Sequence, residues 1–284
     1  MAFYRCGGGK KMKKVNSQIV TDVSDLTLPY DFNNGRTVVL NDEIHILAGT
    51  LAYTGTKHYK YNGSGWTEVS TLPYNFFSGS AVVLNGEIHI VGGGNGYNHY
   101  KYNGSEWTEV STLPYAFYTG SAVVLNDEIH ILGGTSSDTN HYKYNGSEWT
   151  EASTLPYNFY SGEAVVLNGD IHIVGGTQGY KHYKYNGSGW TEVSTLPYDF
   201  YYSSAVVLNG DIHILGSAAS TSAFTKHYKY NGSEWTEVST LPYNFYSGAA
   251  VVLNGDIHIL GGSQGYTNHY IIQKHFDFFY VEED

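Results

Sequence analysis

Short apolar and alternating runs recur along the chain in a fixed order. In the second copy, residues 80–84 (SAVVL) are apolar and β-branched, and residues 87–91 (EIHIV) alternate polar with apolar. An Asn-Gly pair at 85–86 separates them and favours a two-residue hairpin turn, because both of its residues take a positive φ. Residues 98–102 (NHYKY) alternate again, and residues 107–110 (WTEV) follow a second turn. The pattern predicts four antiparallel strands per copy and no helix.

Six copies follow one another, and a Leu-Pro-Tyr tripeptide marks each of them. Its prolines are the six prolines of the chain: Pro29, Pro73, Pro114, Pro156, Pro197 and Pro242. A period of about 42 residues is typical of solenoids and propellers, in which each unit buries its apolar face against its neighbours. The sequence therefore predicts an all-β protein, a six-bladed β-propeller of four-stranded antiparallel blades. We expect the Val-Val-Leu strand of each copy to lie nearest the axis.

The sixth copy lacks a fourth strand with Trp. Residues 20–24 (VTDVS) match the Trp-Thr-Glu-Val-Ser block of the other copies, and residues 276–280 (FDFFY) are also strand-like. We expect the N-terminal segment to pair with the last blade and remove its open edge, with the C-terminal segment as the alternative. The predicted division is a flexible leader at 1–14, a propeller at 15–275 closed by the N-terminal strand, and a tail at 276–284.

Recurrent glycine, tyrosine and tryptophan positions resemble the kelch motif. A double glycine follows the second strand, a Tyr lies on the third strand, and the fourth strand carries Trp66, Trp107, Trp149, Trp190 or Trp235. The resemblance covers roughly residues 15–272 and implies a kelch-repeat propeller. Two copies depart from it, with Ala48-Gly49 and Gly216-Ser217 in place of the double glycine. Small residues remain at both places, so the predicted blades are unchanged.

Charge and hydropathy exclude several classes of partner. The formal charge of −11 opposes nucleic-acid binding, which needs a basic surface. No apolar run reaches the roughly 18 residues of a membrane span, and residues 1–14 lack the apolar core of a signal peptide. Residues 1–10 (MAFYRCGGGK) are similar to the opening of small proteins encoded near phage tail genes. We expect a monomer that is cytoplasmic or virion-associated.

Histidine recurs at two places in every copy. Those on the second strand are His45, His89, His130, His172, His213 and His258, and those on the third are His58, His99, His141, His182, His227 and His269. A zinc or copper site needs three or four converging ligands, of which each copy supplies two. We therefore expect these histidines to pack and to form hydrogen bonds, and we expect no metal and no other cofactor.

The positions where the copies differ are the candidates for function. Two variable positions in each copy lie just before or at the start of the innermost strand. The loop between the second and third strands also varies. The predicted ligand-binding residues are Asn33, Arg36, Phe77, Tyr118, Tyr160, Glu163, Tyr201 and Tyr246. Tyr offers rigid amphipathic contact area at low entropic cost, which suits a sugar ring or a protein. The competing interpretation is neutral variation in exposed loops. Arg36 and Glu163, from copies one and four, should face each other across the ring.

Two hypotheses of function follow. The first is a non-catalytic module that binds a glycan or a protein through the loop face around the channel, with a phage association implied by residues 1–10. The alternative is a carbohydrate-processing enzyme such as a lyase, isomerase or epimerase. The chain has only two arginines, Arg5 and Arg36, and its one cysteine, Cys6, lies outside the copies. An arginine cluster and a Tyr–Cys crosslink are thereby excluded, which favours binding without catalysis.

Overall fold

The computed structural model describes residues 3–6, 10–22, 27–49, 55–135, 137–216, 224–263 and 266–281. For residues 3–6, 10–22 and 274–281 only the backbone is described. Within these ranges the chain forms strands, one short 3₁₀ turn at Gly176–Gln178 and no α-helix.

The strands follow the copies of the sequence in order. Two strands come first, β1 (Phe3–Cys6) and β2 (Lys10–Asp22). The first three blades consist of β3 (Arg36–Leu40), β4 (Glu43–Leu47), β5 (His58–Tyr61), β6 (Trp66–Glu68), β7 (Ser80–Leu84), β8 (Glu87–Val91), β9 (Asn98–Tyr102), β10 (Trp107–Thr112), β11 (Ser121–Leu125), β12 (Glu128–Leu132), β13 (His141–Tyr144) and β14 (Trp149–Glu151). The last three consist of β15 (Gly162–Leu167), β16 (Asp170–Gly175), β17 (Lys181–Tyr185), β18 (Trp190–Thr195), β19 (Ser204–Leu208), β20 (Asp211–Leu215), β21 (Lys226–Tyr230), β22 (Trp235–Thr240), β23 (Ala249–Leu253), β24 (Asp256–Leu260) and β25 (His269–Val281).

Each of the first five blades is an antiparallel sheet of four strands that lie side by side in chain order. The innermost strands β3, β7, β11, β15, β19 and β23 contact one another in sequence, and β23 contacts β3. The ring is therefore closed around an axis, with a Val-Val-Leu strand innermost in every blade. The prediction of an all-β, six-bladed β-propeller is confirmed.

The sixth sheet contains the N-terminal strands as well as its own. Its order is β1-β2-β25-β24-β23, and β2 runs antiparallel to β25. Val20 pairs with Ile272, in the register that Trp66 and Tyr61 have in blade one. The division at 1–14, 15–275 and 276–284 stays a prediction, and β2 and β25 each run across one of its boundaries. Residues 23 and 24 of the predicted closing segment lie outside the described residues.

The core lies between the blades. The alternation in each strand directs one set of side chains to the preceding blade and the other set to the following blade. Ala249, Val251 and Leu253 of blade six, for example, pack with Phe32 and Ile44 of blade one. Six equivalent phenylalanines are almost fully buried: Phe32, Phe76, Phe117, Phe159, Phe200 and Phe245. Burying one such side chain contributes roughly 2–3 kcal/mol, so the interfaces between blades carry much of the stability.

The Leu-Pro-Tyr segments fasten each blade to the one before it. Within copy three, the Tyr115 hydroxyl donates to the Gly133 carbonyl at 2.6 Å and so holds the segment on its own blade. The backbone N–H of Phe117 donates to Gly96 O, in the second-to-third-strand loop of the preceding blade, at 2.9 Å. A side chain at Gly133 would place its Cβ 1.9 Å from the Phe159 carbonyl of the next blade, which explains the glycine there. These contacts hold the variable loops beside the start of the neighbouring inner strand.

Candidate functional site

A collar of six equivalent residues surrounds the mouth of the channel. All six have a φ between 53° and 57°, in the left-handed region: Asn34, Ser78, Thr119, Ser161, Tyr202 and Ser247. Five backbone N–H···O=C bonds of 2.6–3.1 Å join consecutive members around the ring. Because each bond joins two blades, we expect the collar to hold the mouth in one geometry.

Tyr202 departs from the small polar residues of this collar. A left-handed backbone costs a bulky L-residue roughly 1–2 kcal/mol, and such strain is concentrated at functional sites. The Tyr202 ring packs against Tyr201 at 4.4 Å and Tyr246 at 5.3 Å between ring centroids. Its hydroxyl lies 3.3 Å from that of Tyr160. The strained residue thus joins three blades.

These rings form an aromatic patch on one side of the mouth. The aromatic patch consists of Tyr160, Tyr201, Tyr202, Phe224 and Tyr246, and each of these side chains is partly exposed. Phe224 joins it through Tyr246, at 6.1 Å between ring centroids. The hydrogen bond with Tyr202 and, after it, burial raise the pKa of Tyr160. The patch contains no Asp, Glu, Lys, Arg or His side chain, and it therefore suits stacking rather than ion pairing.

Two hydroxyls beside the aromatic patch have no hydrogen-bond partner among the described residues. Ser161 Oγ and Ser203 Oγ are both buried, with residue exposures of 8% and 5%. The Ser161 hydroxyl lies near the Tyr160 phenol and opposes part of the increase in its pKa. The two groups do not have hydrogen-bond geometry. Both serines line a pocket of about 30 Å³ at the mouth, which has room for one water-sized group. A ligand hydroxyl placed there would satisfy them.

Arg36 and Glu163 line the same pocket from opposite blades. Within the described part of the chain neither forms an ion pair, and Arg36 Nη1 donates to the Gly35 carbonyl at 3.2 Å. Burial raises the pKa of Glu163 to about 7, and the nearby Arg36 opposes this increase. The mouth therefore contains a carboxyl group that exists in both protonation states near neutral pH.

The structure separates the residues predicted from the sequence into three groups. Tyr160, Tyr201 and Tyr246 come together in the aromatic patch, and Arg36 and Glu163 meet in the channel. Phe77, which is 38% exposed, and the half-buried Tyr118 lie outside the patch. Asn33 is corrected: it is 4% exposed, and its amide donates to Ser263 Oγ at 3.3 Å. Its side chain holds two blades together and is not available to a ligand.

Four residues of the site were missed in the sequence analysis: Ser161, Tyr202, Ser203 and Phe224. Ser161 has no distinguishing signal, because Ser also occupies this position in copies two and six. For Tyr202 and Ser203 the signal was present, because copy five reads Tyr-Ser where the other copies have a small polar residue and Gly. Copy five also has the longest loop between its second and third strands, and Phe224 lies in it. A position-by-position comparison of the six collars therefore identifies the asymmetric sector of the ring.

The recurrent histidines form hydrogen-bonded chains between blades. In blade one, His45 Nδ1 and His58 Nε2 are 2.8 Å apart, and His58 Nδ1 is 3.2 Å from Ser70 Oγ. The indole N–H of Trp107, from blade two, donates to the same Ser70 oxygen at 3.2 Å. Within the described ranges four such chains are complete: His45–His58–Ser70–Trp107, His89–His99–Ser111–Trp149, His130–His141–Ser153–Trp190 and His172–His182–Ser194–Trp235.

The indole can only donate, so Trp107 donates to Ser70 Oγ. That oxygen keeps a second lone pair and its own proton, so two directions satisfy the chain. Either Ser70 donates to His58 Nδ1 and His58 Nε2–H donates to His45 Nδ1, or His45 Nδ1–H donates to His58 Nε2 and His58 Nδ1–H donates to Ser70 Oγ. A neutral pair of histidines satisfies both directions. Burial lowers the pKa of His45 to about 4 and that of His58 to about 3. The predicted packing and hydrogen-bonding role of these histidines is confirmed.

The sixth blade leaves two of these positions without a partner. Among the described residues, Trp66 Nε1 and His269 Nδ1 are buried without a hydrogen-bond partner, and they correspond to Trp107 and His58 of the complete chain. In the complete chain a serine of the fourth strand stands between these two groups. Among the described residues no group of three or more His, Cys, Asp or Glu side chains converges on a metal position.

Comparison with known proteins supports the architecture alone. No protein-family model matches the chain, and no curated protein matches it. Among solved structures, that of YjhT resembles the chain with a TM-score of 0.73 and 14% sequence identity, over 90% of this chain and 99% of that one. YjhT is also a propeller. At this identity the likeness defines the class of protein, a six-bladed β-propeller. In the described residues no helix is long and apolar enough to cross a membrane.

Proposed function

We propose that the protein is a non-catalytic binding module that holds a glycan or protein ligand at the loop face around its channel. The observation that carries the proposal is the aromatic patch, which gathers five partly exposed rings from three blades on one side of the mouth. The ligand is neutral or weakly charged, because the patch itself contains no ionic group.

The strained backbone of Tyr202 and two unsatisfied serine hydroxyls support ligand binding in the same sector of the ring. Tyr202 has a left-handed backbone that a glycine would adopt at lower cost, and it lines the pocket. Ser161 and Ser203 offer unpaired hydroxyls at the edge of the rings. Stacking on rings combined with directed hydrogen bonds is the chemistry that recognises a sugar residue or the exposed loop of a protein.

The binding test uses a glycan array, followed by titration calorimetry on any glycan retained. Tyr202→Ser restores the collar residue of the other blades. We expect this change to abolish retention while leaving the melting temperature nearly unchanged, because Ser occupies the same left-handed position in three other blades. Retention of the same glycans by the Tyr202→Ser variant would contradict the proposal.

A second change separates binding from packing. Replacing Tyr160, Tyr201 and Tyr246 together with Ala should remove binding with little effect on the melting temperature. The matched control is Tyr180→Ala, because Tyr180 is 49% exposed and lies outside the aromatic patch. If the triple variant unfolds while Tyr202→Ser still binds, the rings serve the packing between blades.

One observation favours a carbohydrate-processing enzyme as the second candidate. A carboxyl group with a pKa of about 7, as in Glu163, can both give and take a proton at neutral pH, which general acid–base catalysis requires. Turnover of a retained glycan, followed by nuclear magnetic resonance, tests this directly. Conversion that disappears in Glu163→Gln while binding persists would favour the enzyme over the binding module.

Association with a phage particle stays a prediction from residues 1–10, whose side chains lie outside the described part of the chain. The proposed module is a monomer. Sedimentation of the purified protein tests this state, and a concentration-dependent dimer would contradict it.

A further inference from the structure

Below the collar the channel widens into a chamber of about 140 Å³. We name it the lower chamber and define it by Arg36, Ser80, Ser121, Glu163, Ser204 and Ala249, which occupy the same position in the six blades. Its volume is several times that of one water molecule. Arg36 and Glu163 are the only charged side chains among its lining residues.

The three serines present protons to this chamber. Ser80 Oγ accepts the backbone N–H of Ala122 at 3.1 Å, and Ser121 Oγ accepts that of Ala164 at 3.0 Å. Ser204 Oγ likewise accepts from Ala250 at 3.0 Å. Each oxygen is therefore occupied as an acceptor, and within the described residues none of the three hydroxyls donates to a protein group.

The positive charge of the chamber is that of Arg36, and no ion pair within the described residues neutralises it. Arg36 has no ion-pair partner among the described residues, although Glu163 lines the same space. The three serines line the chamber and are only 5–7% exposed, so their hydroxyl groups are shielded from bulk solvent. While Glu163 is protonated, the buried donors and the guanidinium that share this cavity create a positive potential, which an anion would lower.

We propose that the lower chamber binds one small monovalent anion, of the size of chloride or formate, between Arg36 and the hydroxyl protons of Ser80, Ser121 and Ser204. The site is distinct from the aromatic patch and does not depend on the proposed function. When Glu163 is protonated it adds a donor, and when it is ionised it competes with the anion for Arg36. Anion binding and proton uptake by Glu163 therefore favour each other.

This coupling predicts a pH dependence with a definite sign. With the pKa of Glu163 at about 7, roughly a tenth of the carboxyl groups are protonated at pH 8 and nearly all at pH 6. The affinity for chloride should then be about tenfold weaker at pH 8 than at pH 6. Glu163→Gln should bind chloride equally at both pH values, because the amide cannot ionise.

The experiment measures the ³⁵Cl linewidth of sodium chloride in the presence of the protein, with sodium gluconate keeping the ionic strength constant. We expect excess broadening that formate displaces, that is larger at pH 6, and that Arg36→Gln removes. Lys143→Gln is the control, since Lys143 pairs with Glu128 at the blade edge and its side chain is 37% exposed.

The Ala249→Ser variant tests for an increase in chloride affinity, a result that misfolding cannot produce. Ala249 occupies the place of the three serines in blade six, so a hydroxyl there adds a fourth donor to the chamber. We expect chloride to bind more tightly to this variant. If the wild-type protein shows no excess broadening, or if Arg36→Gln broadens the line as much as wild type, the chamber holds only water and the proposal is wrong.

Discussion

Lowering the pH from 7 to 5 should unfold this propeller, because its twelve paired histidines are neutral when folded. Burial, the largest cause, lowers the pKa of the second-strand histidines to about 4 and of the third-strand histidines to about 3, from an ordinary 6.5. Between pH 6.5 and 4 the unfolded chain therefore binds more protons than the native one. The free energy of unfolding must fall as the pH falls through this range.

The magnitude follows from the number of histidines. At pH 5.5, one unit below the ordinary histidine value, keeping one imidazole neutral costs about 1.4 kcal/mol. Twelve of them cost roughly 16 kcal/mol, against a typical folding stability of about 5–15 kcal/mol. We therefore expect the fold to be lost between pH 6 and pH 5. Glu163 acts in the opposite direction, since its pKa is raised, but it contributes a single proton.

The assay is urea unfolding followed by tryptophan fluorescence at pH 7.5, 7.0, 6.5 and 6.0. At pH 6.5 half of the twelve histidines of the unfolded chain are protonated, so the slope should be roughly 8 kcal/mol per pH unit. Because the lowered pKa values come first from burial, 0.5 M sodium chloride should change this slope little. A slope corresponding to two protons or fewer would show that the histidines are charged in the folded protein.

Three further predictions concern the chains between blades and the closure of the ring. Ser153→Ala should destabilise the protein by about 2–4 kcal/mol in urea unfolding, because it leaves two buried nitrogens unpaired, whereas the exposed Ser147→Ala should cost less than about 1 kcal/mol. Ser24 stands two residues after Asp22, as Ser70 stands two residues after Glu68. Ser24→Ala should therefore lower the melting temperature if this hydroxyl serves the two orphaned nitrogens of blade six, and no change would exclude that role. Deleting residues 1–25 should cost far more stability than deleting 276–284, and the opposite order would refute closure by the N-terminal strand.

Much of the site could be anticipated from the copies, but its shape could not. Arg36 and Glu163 stand out as the charged members of an otherwise small-residue position, and their places in copies one and four put them on opposite sides of a six-fold ring. Tyr160, Tyr201 and Tyr246 could be named from the repeat. That Tyr202 joins them depends on a left-handed backbone, which directs this side chain in a way that strand periodicity does not encode.

The sequence alone determines the blade, because the alternation of apolar and polar residues, the Asn-Gly turns and the six prolines are local signals repeated in register. It also determines the number of blades and the identity of the innermost strand. Only the tertiary structure decides what happens between blades. The chain from His45 to Trp107 joins residues whose partners lie in different copies, and Asn33 is buried by a contact with Ser263 at the far end of the chain. Closing the ring sets those distances, and with them which side chains are buried, neutral or free to bind.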